Sequence, residues 1–140
     1  MGINMSSFGI QLNTLCREDY VVKSEHTAKH LGSGEVEVLS TPSMILFIES
    51  TALKCIQQFL SNEYTTVGVR IDIKHLNPAP VNSKVTVETK IVGIEGRKII
   101  LETRVFWKTL LIGEGVHERF IVDKRKFLNK VRKLMRELGT

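Results

Sequence analysis

The spacing of apolar residues changes near residue 64, and that change constrains the fold more than any other feature of the sequence. Before it, apolar residues recur every three or four positions, as on one face of a helix: Ile45, Ile48, Ala52, Cys55, Ile56 and Phe59. Thr41 is a suitable N-cap, and Pro42 suits the first helical position because its missing N–H is not needed there. The pattern predicts one long helix that begins at Thr41 and ends at residues 61–63.

After this helix, apolar residues alternate with polar ones, which is typical of half-buried strands. Strands are predicted at residues 67–75, 84–94, 99–107 and 110–122. Their connections are short, and the second is a hairpin turn at Glu95-Gly96. A less regular strand is predicted from Tyr20 to Ala28, and a second helix from Asp123 to Leu138.

Consecutive strands with short connections predict an antiparallel sheet, and the lone central helix must cover one of its faces. We therefore predict an α+β fold in a single domain that spans residues 1–140, a length sufficient for a substantial core. Residues 1–15 are weakly patterned and are predicted to form a loose N-terminal arm.

The net charge of +5 is concentrated in the predicted C-terminal helix. Residues 123–137 carry seven cations and two carboxylates, so the rest of the chain is neutral; the cations are Lys124, Arg125, Lys126, Lys130, Arg132, Lys133 and Arg136. A neutral body with one basic helix is not typical of a nucleic-acid-binding protein. A solvated charged face is the favoured interpretation of this helix.

Several other classes of protein are disfavoured by what the sequence lacks. It has no apolar run of the roughly 20 residues that a membrane helix needs, and no secretion signal, so we expect a cytoplasmic protein without a membrane partner. Cys16 and Cys55 form no CxxC unit and are interpreted as two reduced thiols, with no disulfide and no metal site. The GxSxG elbow, the P-loop and a dinucleotide fingerprint are also absent.

A few polar residues stand where function is common. Glu49 interrupts the apolar run MILFIES, and it either points to solvent or serves a functional purpose. His75 ends a strand, where it is either a surface histidine or a functional group positioned by the rigid sheet. Gly68 breaks a β-rich run and marks either an ordinary bulge or a close approach by a ligand. His26, His30 and His117 are interpreted as surface histidines.

Taken together, these segments resemble the fluoroacetyl-CoA thioesterase family of hotdog-fold proteins. The resemblance extends from about Tyr20 to Val131 and is carried by TPSMILFIESTALKCIQQFL, VGVRIDIKHLNPAPVNSKVTV, IEGRKIILETRV and GEGVHERFIVDKRKFLNKV. It implies a hotdog fold, in which an antiparallel sheet wraps around one long central helix, with the further helix at the C-terminus. The activity it implies is hydrolysis of an acyl-CoA thioester to a free acid and coenzyme A, without a cofactor.

The same resemblance implies a set of site residues and an assembly. Thr41, Glu49 and His75 match the family's catalytic threonine, glutamate and histidine. Gly68 matches a glycine that lines the thioester, and Arg119 an arginine near the active site. A homodimer with active sites at the subunit boundary is also implied. Whether Thr41 or Glu49 attacks, or activates water instead, stays open at this stage.

One segment departs from the family. Its fluoroacetyl-CoA enzyme has a longer, aromatic-rich segment between the first strand and the helix, which forms a lid over the site. Here that segment is LGSGEVEVLS, short and without an aromatic residue. We therefore expect a different acyl group. A non-catalytic acyl-CoA-binding or regulatory domain is the main alternative, and a hotdog dehydratase is another.

Overall fold

The computed structural model of the protein describes residues 8–139. In chain order its strands and helices are β1 (Leu15–Val21), α1 (Ala28–Leu31), α2 (Thr41–Gln57), β2 (Tyr64–His75), β3 (Lys84–Glu95), β4 (Lys98–Trp107), β5 (Leu110–Asp123) and α3 (Lys124–Leu138). The four strands after α2 and the C-terminal helix lie within a few residues of their predicted positions.

The strands form one five-stranded sheet in the order β1-β3-β4-β5-β2, and every neighbouring pair is antiparallel. Helix α2 lies against one face of this sheet. The first half of α2 contributes Met44, Phe47 and Ile48 to one buried cluster, and its second half contributes Ala52 and Ile56 to another. The predicted α+β architecture is confirmed, and β1 and β2 form the two edges of the sheet.

The start of α2 differs by one residue from the prediction. Ser40, not Thr41, is the N-cap, and its hydroxyl accepts a hydrogen bond of 3.1 Å from the Ser43 amide. Thr41 therefore occupies the first helical position and Pro42 the second. Because Ser40 caps the helix, the hydroxyl of Thr41 is free to contact another element. The helix ends at Gln57, before the predicted residues 61–63.

The N-terminal part differs more from the prediction. The first strand runs from Leu15 to Val21, and the residues expected to continue it form a short 3-10 turn, Ser24–His26, and helix α1. The expectation of a loose arm is wrong for residues 8–14, since Ile10 is fully buried and packs in the second core cluster. Residues 1–7 of that arm lie outside the described residues.

Helix α3 forms as predicted, with Asp123 as its N-cap, whose carboxylate accepts from the Lys126 amide at 3.0 Å. Its apolar residues do line one face, but each is between 37% and 77% exposed; they are Phe127, Leu128, Val131, Leu134, Met135 and Leu138. None of the helices in the described part of the chain is long and apolar enough to cross a membrane.

The interpretation of the two cysteines as reduced thiols is wrong for this structure. Cys16 on β1 and Cys55 on α2 form a disulfide that closes a segment of 39 residues. Cys55 points from the apolar face of α2 towards the edge strand, so the bond ties the helix to β1. The sequence separation gave no indication of this pairing, because the two residues meet only once the helix packs on the sheet.

We expect this disulfide to contribute strongly to stability. Replacing both cysteines by serine should lower the free energy of unfolding by about 2–4 kcal/mol, because a cross-link over a segment of this length restricts the unfolded chain. Denaturant unfolding of the two proteins measures the difference, and added reductant should leave the serine variant unchanged. Two free thiols in the unreduced, denatured wild-type protein would contradict the pairing.

Candidate active site

Thr41 and His75 meet where the start of α2 faces the end of β2. The Thr41 hydroxyl lies 2.7 Å from Nδ1 of His75, although the two residues are 34 positions apart. Thr41 is exposed and His75 is half-buried. Burial lowers the pKa of His75 below that of a free imidazole, and a backbone hydrogen bond with Asn77 opposes this shift. A neutral His75 with an unprotonated Nδ1 can accept the hydroxyl proton of Thr41.

A cleft of about 390 Å³ opens beside this pair. Its walls come from the segment before α2 and from the turn after β2; the lining residues other than Thr41 and His75 are Ala28, Ser33, Val38, Leu39, Ser40, Pro42, Leu76, Asn77 and Pro78. Their side chains are small, aliphatic or polar. The short segment LGSGEVEVLS therefore borders the cleft without placing an aromatic ring in it.

Glu49 lies further along α2, beside β2 and β5. Its Oε2 is 3.5 Å from Nη1 of Arg119, whose side chain is only 6% exposed, whereas that of Glu49 is 40% exposed. Burial lowers the pKa of Arg119, and the nearby Glu49 carboxylate opposes that effect. Burying a guanidinium is costly unless acceptors are well placed, and Glu49 is one such acceptor for Arg119. The Glu49 side chain thus faces Arg119 on the sheet while 40% of it stays exposed to solvent.

Gly68 is where β2 comes closest to Glu49. The β2–β5 register shifts between Gly68 and Arg70, which forms a bulge and leaves Val69 55% exposed. A Cβ atom on Gly68 would lie 2.5 Å from Glu49 Oε2 and 3.3 Å from the His117 ring. Gly68 therefore lies at a bulge, and its close neighbour is the Glu49 carboxylate, which would have to move if Gly68 carried a side chain.

Two residues of this cluster were not found from the sequence. His117, interpreted as a surface histidine, is fully buried on β5, and Thr66 on β2 is 4% exposed. Arg119 donates from Nε to the Thr66 hydroxyl at 2.8 Å and from Nη2 to the Thr66 carbonyl at 2.9 Å. The sequence contained one indication of His117: residues 117 and 119 of the HER tripeptide lie on the same face of the strand, so His117 could have been expected beside Arg119.

The five predicted site residues thus form two groups. Thr41 and His75 are in contact, and Glu49, Gly68 and Arg119 are together in the other group. Thr41 and Glu49 are eight residues apart on one helix, which is about 12 Å along its axis. Gly68 and His75 are seven residues apart on one strand, which is roughly 20 Å. Within a single chain the two groups are therefore well separated.

The chain is similar in sequence and in fold to known proteins. A model of the family described as fluoroacetyl-CoA-specific thioesterase matches residues 22–125. Fluoroacetyl-CoA thioesterase from Streptantibioticus cattleyicolor is 28% identical over 130 residues, which cover 89% of this chain and 94% of that protein.

Two solved structures extend the comparison. A thioesterase superfamily member from Thermus thermophilus has a TM-score of 0.85 at 25% identity, covering 93% of this chain and 96% of that one. A hot-dog-like protein from Thermanaerovibrio acidaminovorans has a TM-score of 0.82 at 20% identity, covering 95% and 96%, and shows the fold alone. The hotdog fold is thereby confirmed, and because the family match spans well over half of its length, the chain belongs to the fluoroacetyl-CoA-specific thioesterase family.

Proposed function

We propose that this thioesterase hydrolyses an acyl-CoA whose acyl group is not fluoroacetyl, at a site that two copies of the chain build together. Hydrolysis of an acyl-CoA thioester is the activity of the family to which the chain belongs. The observation that carries the proposal is the 2.7 Å contact of Thr41 with His75, set well apart from Glu49 in the same chain.

The two groups supply complementary parts of the chemistry. Thioester hydrolysis needs a nucleophile or an activated water, a group that moves the proton, and donors for the developing oxyanion. His75 takes up and returns the proton through Thr41, and Glu49 attacks the thioester or activates water. Ser43 donates its amide to the Ser40 cap and Pro42 has no N–H. The Thr41 amide has no partner among residues 8–139 and is therefore the first-turn donor available for the oxyanion.

A second copy of the chain can bring the two groups together. Strand β2 is twelve residues long and has no strand neighbour on its outer side within residues 8–139, and such edges pair readily. If two β2 strands pair antiparallel about a twofold axis between Ile71 and Asp72, Gly68 of one copy lies opposite His75 of the other. Glu49 of the first copy then faces Thr41 of the second, so that a homodimer holds two complete sites.

Heterodimers of defined composition test this arrangement. Chains that carry Glu49→Ala or His75→Ala should each form inactive homodimers, but a tagged and purified heterodimer of the two should show about half of the wild-type kcat, since one of its two sites is intact. The matched control pairs a wild-type chain with a chain that carries both substitutions, and this heterodimer should be inactive. The opposite pattern would place each active site within one chain.

The cleft beside Thr41 indicates the size of the acyl group that the enzyme accepts. Its lining of small, aliphatic and polar residues provides room but no aromatic lid. We therefore expect turnover of acyl-CoAs larger than fluoroacetyl-CoA, measured as thiol release from short, branched, aromatic and long acyl-CoAs. Binding of acyl-CoA without any turnover would instead favour the non-catalytic binding domain, and formation of a double bond would favour the dehydratase.

The pH dependence of the reaction should reflect His75. The proposal requires a neutral imidazole, and burial lowers the pKa of His75 below the usual value of about 6.5. Because its pKa is lowered, His75 is still mostly neutral at pH 6.5, and kcat/KM should fall only at a more acidic pH. A profile of kcat/KM against pH measures this limb, and a midpoint at or above 6.5 would exclude His75 as the group that titrates.

A cytoplasmic location is part of the proposal and has its own test. Disulfides such as Cys16–Cys55 are more common in proteins of oxidising compartments than in cytoplasmic proteins. Cell fractionation, combined with alkylation of free thiols before lysis, reports both the location and the state of the two cysteines. Recovery from an oxidising compartment would overturn the cytoplasmic assignment.

A further inference from the structure

His117 is a fully buried histidine that the proposed chemistry does not use. It lies on β5, two residues before Arg119, and its ring is beside the bulge in β2. Its Nδ1 is 2.8 Å from the carbonyl oxygen of Arg70, the residue at which the β2–β5 register resumes. Its Nε2 is 3.2 Å from Nη1 of Arg119. Both ring nitrogens therefore have partners within the described residues.

These two contacts fix the protonation state of the ring. A carbonyl oxygen can only accept, so Nδ1 of His117 carries a proton and donates it to Arg70. A guanidinium can only donate, so Nε2 must be the unprotonated nitrogen that accepts from Arg119. Burial, with a contribution from the Arg119 charge, lowers the pKa of His117 and keeps the ring neutral. The geometry thus selects the neutral Nδ1–H tautomer.

Arg119 is held in place by acceptors on both sides. Thr66 accepts from its Nε and Nη2, and His117 accepts from Nη1, the nitrogen that also faces Glu49 at 3.5 Å. Without His117 the Nη1 group would keep only Glu49 as an acceptor, and the guanidinium would be held along one edge only, by Thr66. The charged groups around the ring are Arg119, Glu49 and Glu118.

We propose that His117 is a positioning residue for the thioesterase reaction. In its neutral Nδ1–H form it links the Arg70 carbonyl at the bulge to Arg119, and through Arg119 it sets the place of the Glu49 carboxylate next to Gly68. It acts through these neighbours and does not touch the substrate. The inference rests on the proposed role of Glu49, and the two can be tested by different experiments.

Two conservative variants separate the two contacts of the ring. The amide oxygen of His117→Gln can occupy the place of Nε2 and accept from Arg119, whereas the amide nitrogen of His117→Asn can occupy the place of Nδ1 and donate to Arg70. We expect His117→Gln to keep kcat within about threefold of the wild type. In His117→Asn kcat should fall about 10- to 100-fold with KM little changed, since a misplacement of about 1 Å at a catalytic group has effects of that size.

Thr103→Val is the matched control for a purely structural effect. It removes a buried side-chain hydrogen bond of 3.1 Å, from Thr103 to the Glu88 carbonyl between β3 and β4, away from Glu49. We expect it to lower Tm without changing kcat. If His117→Asn behaves in the same way, with a lower Tm and an unchanged kcat, His117 is merely structural and the inference is overturned.

Two further results distinguish this inference from the proposed function. In a Glu49→Gln background, His117→Asn should cause no additional loss of kcat, because the carboxylate that it positions is already gone. A full additional loss would overturn the link through Glu49, whereas an active Glu49→Gln enzyme would overturn the catalytic role proposed for Glu49 and leave thioester hydrolysis itself standing. Independently of activity, ¹⁵N spectra of labelled histidine should show His117 as the Nδ1–H tautomer at pH 7, and an Nε2–H signal would contradict the inference.

Discussion

Replacing Glu49 by glutamine should lower kcat by about 10³-fold while the protein stays folded. Glutamine keeps the shape and the approach to Arg119 but cannot attack a thioester or take a proton from water, and the loss of such a group has an effect of this order. Arg119 keeps its hydrogen bonds to Thr66 and His117, so the buried guanidinium is not left without acceptors. Thiol release under saturating acyl-CoA measures kcat, and thermal unfolding verifies the fold.

The control is Glu63→Gln, which makes the same chemical change at an exposed position between α2 and β2. We expect it to leave kcat unchanged, so that the loss is specific to the carboxylate near Gly68. If Glu49→Gln retains kcat within about threefold of the wild type, Glu49 is neither the nucleophile nor the base. The reaction would then depend on Thr41 and His75 alone.

Those parts of the fold that follow from local periodicity were predictable. The apolar face of α2 and the alternation in β3, β4 and β5 place these elements within a few residues of where they lie. In β1 no residue is fully buried, because it is an edge strand whose residues alternate between exposed and half-buried. Its polar segment, which includes Arg17, Glu18 and Asp19, therefore carries no apolar signal, and the strand was placed too late in the sequence.

Contacts between distant segments were not predictable from pattern. Ser40 and Thr41 are both good helix caps; Ser40 caps α2, and the Thr41 hydroxyl contacts the distant His75 instead. In the same way, Cys16 meets Cys55 only because α2 packs against the edge strand. The resemblance to a family supplied Thr41, Glu49, Gly68, His75 and Arg119 as candidates. It did not indicate that they form two separate groups in one chain.

Gly68 is closely packed against Glu49 and Arg119. Replacing Gly68 by alanine should therefore abolish most of the activity. An added methyl group would lie 2.5 Å from Glu49 Oε2 and 3.4 Å from Nη1 of Arg119, so the carboxylate must move. We expect kcat to fall about 100-fold, comparable with a displacement of about 1 Å at a catalytic group. In an ordinary strand position the same change would be neutral or stabilising, because alanine reduces the entropy of the unfolded chain.

Gly93→Ala is a matched control, since Gly93 also lies at a bulge, in β3, where the register with β4 shifts. The atoms nearest to its added methyl group belong to the Ile100 side chain, the closest at 3.0 Å, so the local cost is one of stability. We expect Gly93→Ala to lower Tm and leave kcat unchanged, whereas Gly68→Ala lowers kcat with a small change in Tm. If both variants affect only Tm, Gly68 is an ordinary bulge glycine, and the position of Glu49 does not depend on the space beside it.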